Sequence, residues 1–231
     1  MRDTTPRVGF VGAGLCVALL LMMAALLLMG ALPNTAQGQE PRLAGRLPQA
    51  TRLQVDSILD AARANGLPVE PLVDRALEGA AKGAPPALIV TAVARLRSEL
   101  SLARTAFGVT ASVGEITAGA SALRAGATTK DLTQLRHLRA GQPLTVAAAV
   151  LADLVTAGVP ADTAVGAVLA LAGGADDADY LAFRRTVQQD IALGASPVAA
   201  LGVRLQSLGA LAGTPTADGL SSGGGRAKRK P

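Results

Sequence analysis

One short phrase returns along this 231-residue chain and constrains its fold more than any other feature. A Gly, one further residue, then Pro, Thr or Ser precedes a run that can be helical. It reads "NGLPVEPLV" at 65–73, "KGAPPALIV" at 82–90, "FGVTASVGE" at 107–115, "AGATTKDLT" at 125–133, "AGQPLTVAA" at 140–148, "AGVPADTAV" at 157–165 and "LGASPVAAL" at 193–201. Glycine enters the left-handed conformation cheaply and so closes helices. A Pro in the first turn or a capping hydroxyl opens the next one. The phrase is therefore predicted to be helix punctuation.

The glycines Gly66, Gly83, Gly108, Gly126, Gly141, Gly158 and Gly194 stand 17, 25, 18, 15, 17 and 36 residues apart. The last gap holds two units, with Gly173-Gly174 closing the hidden one and Asp176 or Asp177 capping the helix after it. Each unit is a helix of about three to four turns and a tight turn, and connections this short predict consecutive helices as antiparallel neighbours. Such helices are marginal alone in water and must bury one face against another.

The apolar periodicity supports this division. Val55, Ile58, Leu59 and Ala62 fall on one helical face, and so do Leu72, Val73, Ala76, Leu77 and Ala80. A longer helix over about 85–107 turns Leu88, Ile89, Ala92, Val93, Leu96 and Leu100 inward, and the eighth helix carries Tyr180, Phe183, Val187 and Ile191. No stretch shows the alternation of a strand. The expected fold is all-α, with about nine short antiparallel helices forming an irregular helical bundle or a short, solenoid-like stack of helix hairpins. The uneven spacing favours the bundle and the shared punctuation favours the stack. With no Trp, one Tyr and three Phe, the core has to be built from Ala, Leu, Val and Ile.

Four segments are expected. Residues 1–38 read as a signal peptide or signal-anchor: a basic n-region, an apolar run over 8–32, and Ala36-Gln37-Gly38 as a small-x-small cleavage site. The apolar run approaches the length that spans a bilayer, so an uncleaved anchor is the alternative. Both readings export the body, to the periplasm or beyond the cell. Residues 39–48 read as a linker, 49–212 as the helical domain, and 213–231 as a disordered Gly/Ser-rich tail ending in basic residues. The one cysteine, Cys16, lies in the leader, so packing alone holds the body together. Leader and tail together hold six of the 22 basic and two of the 17 acidic residues. The body is thus nearly neutral, and its charge gives no reason to expect a nucleic-acid partner.

The chemistry-bearing motifs are sparse. His137 is the only histidine and the body lacks cysteine, so a zinc site has too few ligands; no cofactor is expected. Asp176, Asp177 and Asp179 read as acids at a helix N-terminus rather than a calcium loop. No triad, nucleophile elbow or phosphate loop is present. The enzymatic alternative is a carboxylate-dependent envelope hydrolase, with Glu70, Glu78, Glu99 and Glu115 available. A membrane-anchored structural subunit is a third reading.

The leading expectation is a non-enzymatic, exported interaction or structural module of the cell envelope, whose partner is an envelope protein or an anionic envelope surface. Its candidate binding residues are Arg226, Lys228, Arg229 and Lys230 in the tail, and Arg124, Lys130, Arg136 and Arg139 as a basic patch on adjoining helices.

Overall fold

The computed structural model describes residues 40–212, with side chains through 207. Among these the chain is all-α. A 3-10 turn at Pro41–Leu43 is followed by α1 (Gln49–Ala64), α2 (Glu70–Ala81), α3 (Pro86–Phe107), α4 (Val113–Ala125), α5 (Thr129–Leu138), α6 (Thr145–Thr156), α7 (Ala161–Leu171), α8 (Asp177–Ala192) and α9 (Pro197–Ala212).

The recurrent glycines stand where the punctuation reading puts them. Gly66, Gly83, Gly108, Gly126, Gly141, Gly158 and Gly194 all have positive φ and all lie between helices. At Gly126 the turn closes as a Schellman motif: its own N–H reaches the Leu123 carbonyl, and the Ala127 N–H reaches Ala122. Gly173-Gly174 departs from the expectation. Neither glycine is left-handed; the Gly174 and Ala175 N–H groups both bond to Leu171, so α7 unwinds through a right-handed turn.

Helix starts also follow the sequence with some shifts. Thr128 and Asp176 open α5 and α8, each in a capping box with the acid three residues on. Ser112 rather than Thr110 opens α4, in a box with Glu115. Pro85 and Pro160 occupy the cap position itself rather than the first turn.

The expected faces are buried or partly buried, and Leu88 alone among them is exposed. That residue is 61% exposed because the inward face of α3 runs through Ile89, Val93, Leu96 and Leu100 and leaves Leu88 on its edge. The segment expected to be a linker belongs to the body: Leu43 is fully buried and Leu47 nearly so. Arg42 ties the same turn to Glu70, its two terminal nitrogens 2.7 and 2.8 Å from the carboxylate oxygens.

The neighbour relations correct the simple antiparallel chain. α1, α3, α5, α7 and α9 pack each on the next, and α4, α6 and α8 do likewise. The helices thus form two rows, joined by α2 on α3, α3 on α4, α6 on α7 and α8 on α9. Sequence neighbours α4 and α5, α5 and α6, and α7 and α8 share little packing. A short turn fixes where the next helix begins, but burial of its apolar stripe decides what it leans on. α5 buries Leu132 and Leu135 and sits between α3 and α7 rather than against its sequence neighbours.

Small residues set the closest approach. A Cβ on Gly119 in α4 would stand 2.7 Å from the Phe107 ring and 3.0 Å from Ala103, both on α3. The core therefore compensates for scarce aromatic area by bringing backbones together.

Candidate functional site: a groove between α2 and α4

The row of even-numbered helices is broken at its start. α4, α6 and α8 pack in sequence, but α2 packs on α3 and makes no comparable packing on α4. The gap is a groove of about 380 Å³. Asp74, Arg75 and Glu78 line it from α2, Leu96 from α3, and Thr117, Ser121 and Arg124 from α4. These positions recur every three or four residues on α2 and α4, so one helical face of each is turned to the gap.

Charges in and around the groove are already matched. Glu78 accepts from Lys82 at 2.5 Å and from Arg75 at 2.8 Å, and these partners, Lys82 foremost, hold its carboxyl below the usual range. Glu99 is buried and receives Arg95 and Arg124, each through Nε at 3.0 Å. Glu70 is lowered by its bond from Arg42. Asp74 is more open, with Arg42 Nη1 4.0 Å away.

Glu115 has a different task. It accepts from the backbone N–H of Ser112 at 2.8 Å and from that of Leu144 at 3.0 Å. Leu144 opens α6 and has no capping group of its own, so a carboxylate on α4 caps a second helix 29 residues away. Burial pushes the Glu115 carboxyl up, but the two backbone donors, the Ser112 hydroxyl and nearby Arg136 outweigh it and hold the group below its ordinary value. A hydrolytic general acid needs a raised carboxyl. Of the four glutamates available for that role, Glu70, Glu78 and Glu115 are lowered and Glu99 is held by two guanidiniums.

The expected basic patch is divided by the fold. Arg124 is exposed but bound to Glu99; Lys130 is exposed in the first turn of α5; Arg136 is half-buried near Glu115. Arg139 is a correction. It is 1% exposed, with Nη1 on the Ala175 carbonyl at 2.7 Å, Nη2 on Asp177 at 2.9 Å and its guanidinium 4.9 Å above the Tyr180 ring. Its charge closes the turns before α6 and α8 and does not face solvent. Tyr180 donates to the Val168 carbonyl at 2.9 Å, and burial pushes its phenol up.

Arg226, Lys228, Arg229 and Lys230 lie outside the described residues, as do the leader, its apolar run and Cys16. His137 is exposed in the last turn of α5. Among the described residues no group of three or more His, Cys, Asp or Glu is placed to hold a metal ion. Among the same residues no helix is long and apolar enough to cross a membrane.

The groove itself was missed at the sequence level. Its residues come from three helices, and the broken row that opens it is a long-range property. Outside the groove, the S-x-x-E box at 112–115 is the signal that could have marked Ser112 as the cap of α4, though not the second helix that Glu115 reaches. Comparison with protein-family models, with curated proteins and with solved structures finds no match.

Proposed function

We propose that this chain is a non-enzymatic helical interaction module exported to the cell envelope. The groove between α2 and α4 receives a partner, and the basic residues Arg226, Lys228, Arg229 and Lys230 attach the module to an anionic surface. The observation that carries the reading is the broken row. An apolar floor at Leu96 lies between two helix faces bearing both charges and two hydroxyls, an arrangement suited to recognising a polar surface. The lowered and paired glutamates support binding over carboxylate chemistry.

The test is co-sedimentation of residues 39–231, the expected exported form, with phosphatidylglycerol vesicles and with neutral phosphatidylcholine vesicles. The expected result is binding to the anionic vesicles alone, weakening as salt rises and lost when residues 222–231 are deleted. Binding that survives the deletion, or no binding to anionic vesicles, removes the attachment role of the basic end. The groove is read separately: Ser121→Arg should leave vesicle binding intact and weaken capture of an envelope partner. An unchanged partner affinity would place recognition elsewhere.

A further inference from the structure

The turn that closes α1 holds the one Asn-Gly pair in the chain, Asn65-Gly66. Such a pair is chemically labile, because a residue without Cβ leaves its amide nitrogen open to approach. The Gly66 nitrogen attacks Cγ of the Asn65 side-chain amide. The N–Cγ bond forms, the Cγ–Nδ2 bond breaks, and ammonia leaves with the proton of the Gly66 amide. Water then opens the resulting succinimide. Opening at the side-chain carbonyl gives aspartate, and opening at the main-chain carbonyl gives isoaspartate.

The fold imposes this pair. Gly66 has φ +62°, and a Cβ there would stand 2.5 Å from Arg104 Nη1. Asn65 Nδ2 donates to the Ala61 carbonyl at 2.7 Å, so the side chain satisfies an acceptor in the last turn of α1. The same turn also holds the reaction back. The Asn65 ψ of 7° turns the Gly66 nitrogen toward Asn65's own backbone nitrogen and away from Cγ. The Gly66 N–H is committed to the Arg63 carbonyl at 2.9 Å and the Leu67 N–H to Ala62 at 2.9 Å, the two bonds of a Schellman closure. Arg104 Nη1 bonds to both the Asn65 and the Gly66 carbonyl. A guanidinium from α3 thus fixes the peptide plane that ring closure has to rotate. Asn65 and Gly66 are both exposed, so water reaches the site.

We propose that Asn65 is a deamidation site gated by Arg104. While Arg104 spans the two carbonyls, the Gly66 nitrogen stays away from Cγ. Local opening of the turn between α1 and α2 frees the peptide plane and lets the ring close. The change is one-way. Aspartate places a negative charge on the last turn of α1, against the helix dipole, and removes the donor to Ala61. Isoaspartate also lengthens the main chain before Gly66, so the bonds from Arg104 and from buried Leu67 no longer meet their acceptors.

Peptide mapping of the full chain, kept in a mild non-ionic detergent and mildly alkaline buffer, tests this. Trypsin releases residues 64–75, in which Asn65 is the only side-chain amide, so replacement of its NH2 by OH is read directly by mass. Native wild type is expected to convert about tenfold or more slowly than the same chain in guanidinium chloride. Arg104→Ala should convert about tenfold faster than native wild type, and Arg104→Lys, which keeps a donor, should fall between them. In Arg104→Ala the rate should stay flat across denaturant concentrations below the unfolding transition, since local opening exposes little surface. No conversion in guanidinium chloride, or native wild type converting as fast as the unfolded chain, would overturn the proposal. An unchanged rate in Arg104→Ala would remove the gate. A rate in that variant that climbs steeply with denaturant would overturn it as well, assigning the effect to global unfolding.

Discussion

Two buried carboxylates of the body meet opposite fates. Glu115 gathers two backbone N–H groups and a hydroxyl. Asp56 on α1 is 7% exposed, and neither of its oxygens has a hydrogen-bond partner. Buried polar groups stabilise when satisfied and cost free energy when not. Glu115→Ala is therefore expected to lower stability by about 2–3 kcal/mol at neutral pH, measured by urea unfolding. The Glu115 contribution is complete above the unfolded-chain value of about 4.3 and fades as pH falls through the lower folded value. The gap between wild type and Glu115→Ala should accordingly shrink in acid, and a constant gap would refute the cap. Asp56→Leu is expected to raise stability by about 1–3 kcal/mol in the same assay. A loss of stability would show that Asp56 has a partner. The sequence carried the Ser112–Glu115 box but not the Leu144 contact, because pairings across 29 residues depend on packing that no local pattern encodes.

At the scale of the helix, the turns divide into those that require glycine and those that only contain it. Gly126 has φ +114°, and a Cβ there would stand 2.9 Å from the Ala161 Cβ. Gly126→Ala should cost about 2 kcal/mol or more in thermal unfolding. Gly174→Ala should be neutral within about 0.5 kcal/mol or slightly stabilising, since a Cβ there meets nothing within 4 Å and the turn is right-handed. Equal costs at the two sites would break the distinction between a stop and a spacer. Helix ends also recruit charges from afar. Arg104 on α3 bonds to the Asn65 and Gly66 carbonyls that close α1, and Arg139 closes the turns before α6 and α8. The spacing of Gly, Pro, Ser and Thr made the helices and most of their ends legible. It did not reveal that Arg139, in a sequence that reads as a basic helix end, points inward. Its burial depends on Tyr180 and Asp177 arriving from α8.

At the scale of the whole molecule, an aliphatic core with almost no aromatic area is held by close helix approaches and by charges used as turn locks. The all-α class was legible because periodicity and punctuation agree along the whole described body. The two rows were not, since contact between helices two apart follows from which stripes find each other. The groove between α2 and α4 arises at this level, from a break in a row. Arg139→Ala should therefore act beyond its own turn, lowering stability by about 2–4 kcal/mol and increasing amide exchange in both α5 and α8. Faster exchange confined to α5 would show that the lock is local.

The central claim is that the recurrent glycines divide the body into short helices that survive by packing in two rows. Backbone carbon chemical shifts over residues 40–207 test it most directly. Helical runs should break at Gly66, Gly83, Gly108, Gly126, Gly141, Gly158 and Gly194, with no run of strand-like shifts. Helical shifts continuing through those glycines, or an extended run between them, would contradict it.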